Sequence, residues 1–271
     1  MKKIIIITVT FICALSEINA QQHIDNMQLK CLYEHYYQYS TSKSTQMLID
    51  TMRLEVGQKI CKFYSCNYGL FDSTVIVTGD VMRIVYKSKP NKSRNSYTVY
   101  VNYPENKTTF NGNAIGTLNY FEYIEDFEIP RWTVHSETQT ILSHLCKKAT
   151  CRFRGRDYVA WYALDIPISR GPYKFAGLPG LILKIADTEN LYSFECIGIE
   201  KANTPMYKEK KDGIETVPTT REKFIHMEKR THQNPKSIVE IMTKNLGFNF
   251  DDIKDKIPDN AKVNYNPIEL E

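Results

Sequence analysis

The chain has 271 residues, 42% hydrophobic and 24% charged, with 12 Gly, 11 Pro and 7 Cys, a composition that excludes disordered, collagenous and coiled-coil proteins. At this length one core can bury roughly 70% of the unfolded surface, so no disulfide or metal scaffold is required for folding. The 35 basic and 31 acidic side chains leave +4, too small an excess for a nucleic-acid or polyanion binder.

The first element is an export signal. Lys2 and Lys3 precede an apolar run from Ile4 to Leu15, and Ala20 supplies a small residue for cleavage. That run is shorter than the roughly 20 residues a spanning helix needs, and no comparable run follows. Cys13 lies inside the run, behind Thr10, Phe11 and Ile12 rather than a small-residue lipobox. We therefore expect residues 1–20 to be a signal peptide and residues 21–271 to form one domain with no transmembrane anchor, periplasmic or secreted.

The mature chain reads as β. Met27 to Tyr39 alternates and is rich in Tyr, and Thr51 to Val56, Gly57-Gln58 and Lys59 to Tyr64 read as a hairpin. Further strands are expected at Val81 to Tyr86, Ser96 to Val101, Leu118 to Tyr123, Trp132 to Val134, Thr138 to Cys146, Cys151 to Asp165, Leu181 to Ala186 and Leu191 to Ile199. Lys89-Pro90-Asn91 and Asn111-Gly112-Asn113 carry turn composition. Lys201 to Pro218 reads as an exposed loop. A helix capped by Thr219 or Thr220 runs through Phe224, Ile225 and Met227, and Asn234-Pro235 starts a second that Gly247 stops. The expected fold is mainly β (α+β): a curved antiparallel sheet or half-barrel with C-terminal helices.

Export would place Cys31, Cys61, Cys66, Cys146, Cys151 and Cys196 where disulfides persist, so these are candidate bridge cysteines, with buried free thiols as the alternative. No CxxC pair is present, which leaves thioredoxin-like redox chemistry and zinc knuckles without their motif. Strict alternation across Cys151 to Asp165 puts Phe153, Val159 and Trp161 on a core face and Arg152, Arg154, Arg156, Tyr158 and Tyr162 on the other. Three adjacent guanidinium groups can grip a carboxylate or phosphate, or pair with acidic neighbours across strands. Gly171, Pro172, Phe175, Gly177, Leu178, Pro179 and Gly180 form a tightly prescribed loop, either a structural corner or the floor of a binding site. The loop lacks both GKS/T and GxGxxG, so it is no phosphate cradle. HExxH and GxSxG are also absent. His135 and His144 can meet across a hairpin and hold a metal with Cys146, or remain solvated surface groups. No cofactor is implied.

About 40 residues from Lys147, including Gly155-Arg156, Trp161, Ile166-Pro167, Gly171-Pro172 and the hexapeptide Gly177 to Ile182, resemble the GLPGLI family of secreted proteins of Gram-negative bacteria. Weaker agreement extends to Leu54 to Gly57, Lys62 to Ser65, Trp132 and Asn266 to Leu270. The resemblance implies export and a β-rich fold but no activity. Gly, Pro, Leu and Trp, the most specific residues here, build shapes more often than they perform chemistry. The reading is an exported binding or accessory protein that takes an envelope protein, peptide or lipid. The alternatives are a hydrolase without a recognisable motif and a periplasmic metal binder using His135 and His144.

Overall fold

Alternation makes the first strand: Met27, Leu29, Cys31, Tyr33, His35 and Tyr37 are buried, while the residues between them are half-buried or exposed. The computed structural model describes residues 21–38, 47–66, 73–78, 81–86, 97–113, 120–209, 216–234, 240 and 265–271. Its strands are β1 His23–Tyr37, β2 Leu48–Gly57, β3 Cys61–Ser65, β4 Ser73–Thr78, β5 Val81–Tyr86, β6 Tyr97–Val101, β7 Lys107–Asn113, β8 Tyr120–Asp126, β9 Thr133–Ile141, β10 His144–Phe153, β11 Arg156–Ala163, β12 Leu181–Asp187, β13 Tyr192–Tyr207 and β14 Thr216–Pro218, with helix α1 at Arg221–Gln233. Twelve form one sheet in the order β14-β8-β7-β6-β3-β2-β1-β13-β12-β11-β10-β9, and β4 pairs with β5 separately. All pairings are antiparallel except β14 with β8, so the sheet is mixed.

The sheet curls without closing into a barrel. In a flat sheet β8 and β11 would stand eight strand spacings apart, about 38 Å. Yet Arg154, in the turn entering β11, reaches Glu125 on β8 at 2.9 Å. The inside of the curl is packed with Tyr33, Phe63, Phe110, Phe153, Tyr158, Tyr173, Phe175 and Phe194. Helix α1 begins where Thr220 Oγ1 accepts from the Lys223 amide, and its Phe224 packs on Phe110, Phe121 and Tyr123, filling the space under the helix.

Several expected elements change shape. Thr138 to Cys146 is split by a two-residue turn at Leu142-Ser143, both at positive φ, which suits a tight hairpin. Cys151 to Asp165 is likewise a hairpin, turning at Arg154-Gly155. Because the turn interrupts the alternation, the buried face of β11 is Arg156, Tyr158, Ala160 and Tyr162, while Val159 and Trp161 are only half-buried. Asn111-Gly112-Asn113 stays extended within β7, held by ladders to β6 and β8. Much of the expected loop from Lys201 is the end of β13, paired with β1 as far as Tyr207. The expected signal peptide, Lys89-Pro90-Asn91 turn and second helix from Asn234-Pro235 to Gly247 fall on residues outside the described ones, apart from Asn234 and residue 240. Among the described residues no helix is long and apolar enough to cross a membrane.

Candidate functional site

The glycine and proline corner fills the gap between the two arms of the curl. Trp132, on the segment that crosses from β8 to β9, donates its indole N–H to the Ala176 carbonyl at 2.8 Å. Gly177 sits at φ +99, and a Cβ there would stand 2.3 Å from Ile129 Cγ2. A Cβ on Gly180 would meet the Ala163 carbonyl oxygen at 2.0 Å, where backbone cannot yield. Glycine is therefore demanded by close approach at both positions. Phe175 anchors the corner against Trp132, Phe153, Tyr158 and Tyr173, and the Ile182 carbonyl accepts from Tyr33 Oη at 2.8 Å. Gly171, Pro172, Phe175 and Leu178 are buried; Pro179 is exposed.

The same corner carries a buried ion network. Lys174, 3% exposed, lies 2.6 Å from Glu125 and 2.6 Å from Glu269, and donates to Tyr123 Oη at 3.2 Å. Glu269 also accepts from Tyr173 Oη at 2.5 Å and from Arg221 Nε and Nη2 at 2.9 and 2.6 Å. Arg154 joins Glu125 at 2.9 Å and Glu128 at 3.0 Å. Three cations thus face three carboxylates. Burial opposes the charge on Lys174, but Glu269, Tyr123 and Glu125 hold its pKa above the ordinary lysine value. Burial alone would raise Glu269; Lys174 and Arg221 bring it down to about 2. A buried network of this kind is costly to disrupt because removing one member strands the others.

The C-terminal tail supplies the last members. Tyr265 stacks on His232 of α1 at 3.7 Å and donates to Glu228 at 3.0 Å. Asn266 and the carbonyls of Pro267 and Ile268 accept from the Arg156 guanidinium, which also donates to Asp187 at 2.9 Å. Glu269 then enters the lysine cluster. The tail straps α1, β11 and the corner together.

The three arginines therefore diverge. Arg152 is exposed beside Asp157 at 3.3 Å, Arg154 spans the curl to β8, and Arg156 is buried under the tail. Their partners are side chains and carbonyls of the chain itself. The six cysteines among the described residues are free thiols, five buried and Cys66 half-buried. Both close pairs lie along extended backbone, Cys146 and Cys151 on β10, Cys61 on β3 with Cys66 next to its end. His135 bonds Thr150 Oγ1 at 2.8 Å and His144 bonds Asp165 at 2.6 Å. The register places His144 opposite Ile141 and Val134 opposite Ala149, so the hairpin holds the two histidines at opposite ends. Among the described residues no group of three metal-ligating side chains converges. His35 is stacked between Tyr37 and Phe194 and donates to the Ser193 carbonyl, and burial pushes its pKa down to about 3.

Lys174, Glu125, Arg221 and Tyr173 were not singled out from the sequence. The one available signal was the Asn266 to Leu270 stretch, whose Glu269 proves to be the centre of the cluster.

A family described as a protein of unknown function (Porph_ging) matches residues 154–184, the span that holds the corner and half the hairpin. No curated protein matches the chain. Two solved structures, of PNGF-II in P21 and C2 space groups, are similar at 12% and 13% identity with TM-scores of 0.49 and 0.48. Each comparison covers 76% of this chain but only 34% and 33% of the PNGF-II chains, about a third of their length.

Proposed function

We propose that this chain is an exported binding or accessory protein of a bacterial envelope, one that works by presenting a surface. The reading keeps the resemblance to the GLPGLI secreted family, in the same stretch where a family of unknown function matches residues 154–184. One observation carries it. The polar side chains of the most specific segment are spent on the chain's own carboxylates and carbonyls, as the Lys174 and Arg156 contacts show. Groups that would bind substrate or move protons are thereby occupied. Large apolar side chains are instead exposed at one end of the β9–β10 hairpin: Leu142 at 42%, Leu145 at 62% and Leu164 at 44%. Such a corner suits contact with an envelope protein, peptide or lipid.

The test is native mass spectrometry of the protein purified from a bacterial periplasm, set beside a Leu145→Ser/Leu164→Ser double variant. The expected result is loss of residues 1–20 and a bound species that the double variant releases. A chain that stays in the cytoplasm with residues 1–20 intact, or that carries nothing before and after substitution, overturns the reading.

A further inference from the structure

The two ends of the sheet are finished differently. β14 closes one end after three residues and a proline. β9 ends the other with nine residues that include neither Pro nor Lys, and among the described residues it pairs only with β10. Such a strand presents open N–H and C=O groups.

The hairpin fixes which groups these are. The two-residue turn at Leu142-Ser143 makes Ile141 and His144 a hydrogen-bonded pair, and the alternation of an antiparallel ladder makes Gln139 and Cys146 the next. Thr138, opposite Lys147, and Thr140, opposite Leu145, therefore aim their N–H and C=O groups away from β10. Between them stands Gln139, half-buried, whose Nε2 is enclosed without a hydrogen-bond partner. An enclosed amide donor left unpaired is costly, so this side chain calls for an acceptor that the described residues do not supply. Beyond Thr138 the register shifts, and residues 135–137 of β9 stand where β10 has Lys148 alone. The regular edge is thus residues 138–141.

We infer that this edge is the seat of a second copy of the chain, paired antiparallel about a two-fold axis through Gln139. The edge is complementary to itself in that register. Thr138 of each copy exchanges two backbone hydrogen bonds with Thr140 of the other, and the Thr side chains form cross-strand pairs. Gln139 meets Gln139 at the close, non-hydrogen-bonded position, where each Nε2 can donate to the other copy's Oε1. Because of the register shift, Val134 lies as many levels from Gln139 on one side as Leu142 does on the other. The axis therefore sets Val134, 51% exposed, against Leu142 of the other copy, 42% exposed. It also keeps Glu137 of the two copies about 13 Å apart along the strands. Leu145 and Leu164 stay open for the contact proposed above. Neither export nor a bound species enters the inference, so its failure and that of the proposed function are separate results.

The test is sedimentation velocity of the purified chain over a dilution series. So short an edge buries less than a standard interface, so the expected Kd is on the order of 10 to 100 μM, with the sedimentation coefficient rising from monomer to dimer across that range. Thr140→Pro removes an outward N–H that the fold does not use, and it should weaken association at least about tenfold while shifting the melting temperature by no more than roughly 3 °C. A charge pair guards against a proline variant that fails to fold. Gln139→Glu and Gln139→Lys should each stay monomeric alone, since like charges then face across the axis, and should associate when mixed in equal amounts. A parent that stays monomeric throughout, a dimer that survives a folded Thr140→Pro, or charge variants that do not recover on mixing overturns the inference. So does a monomer that instead holds an extended segment of another protein at Thr138 and Thr140, read as protection of those two amides from hydrogen exchange.

Discussion

The corner at Gly171 to Gly180 and the hairpin β9–β10 are separated in the chain by little more than β11, yet they solve opposite problems. The corner is largely closed: Lys174 is 3% exposed, and Phe175, Tyr173, Trp132 and the tail pack the corner, leaving Gly177 and Pro179 at the surface. The hairpin is open: β9 is the last strand of the sheet, pairs only with β10, and none of its residues is fully buried. At the other edge, β14 is only three residues long and ends in Pro218, a short edge that blunts further pairing. This molecule's most distinctive residues hold the curl shut, while its accessible apolar surface comes from Leu145 on a strand and from Leu142 and Leu164 in the turns beside it.

The sharpest way to break the contrast is at Gly180. Gly180→Ala puts a methyl group 2.0 Å from the Ala163 carbonyl oxygen, on backbone that belongs to the β11–β12 register. We expect a loss of about 4 kcal/mol or failure to fold, read from the midpoint of urea unfolding. A variant that unfolds within 1 kcal/mol of the parent, on the order of an ordinary surface change, would show that the corner can relax.

Next in size is Glu269. Glu269→Gln takes from Lys174 and Arg221 the carboxylate that both hold at 2.6 Å, leaving them Glu125, and the cost of breaking such a buried pair is about 3 to 5 kcal/mol at neutral pH. The pH dependence follows from the same contacts. Glu269 is held at about 2 in the fold against 4.5 as its ordinary value. Its stabilisation is complete above pH 4.5 and is lost as pH falls towards 2, roughly 3 kcal/mol in all. His35 acts over a higher window, because its folded value of about 3 lies below the ordinary 6.5: the fold begins to lose stability below pH 6.5 as the unfolded chain takes up a proton. Calorimetry from pH 7 to 3 should show two descending limbs in the parent. The lower one should flatten in Glu269→Gln, and an unchanged lower limb would mean that other carboxylates set acid stability.

How much of this was legible in the sequence depends on the distance between partners. Local rules worked where the partner is near: alternation marked β1, Gly57 marked the β2–β3 hairpin, and Thr220 marked the start of α1. The corner was visible as a dense run of Gly and Pro, whose meaning in φ and close approach the fold then supplied. Alternation failed on β11 because two turn residues, Arg154 and Gly155, reverse the chain and restart the count of faces. The ion network was hidden for a different reason. Lys174 and Glu269 are 95 residues apart and Glu125 is 49 from Lys174, and no periodicity links residues at such separations. Apart from the Asn266 to Leu270 stretch that holds Glu269, an isolated lysine between Tyr173 and Phe175 is the local trace that the cluster leaves.

The smallest effect belongs to the open region, and its smallness is the point. Leu145 is 62% exposed on β10 and flanks the Cys146 and Ala163 pair without entering the core. Leu145→Ser removes little buried apolar area, so it should shift unfolding by no more than about 0.5 kcal/mol while reducing retention on a hydrophobic column. If the substitution instead costs as much as a core truncation, about 2 kcal/mol or more, the leucine is covered within the chain itself and the hairpin is not the free surface. A stable variant with weakened retention keeps the two regions distinct: one whose side chains cannot change without unfolding the curl, and one that can change its contacts while the fold stands.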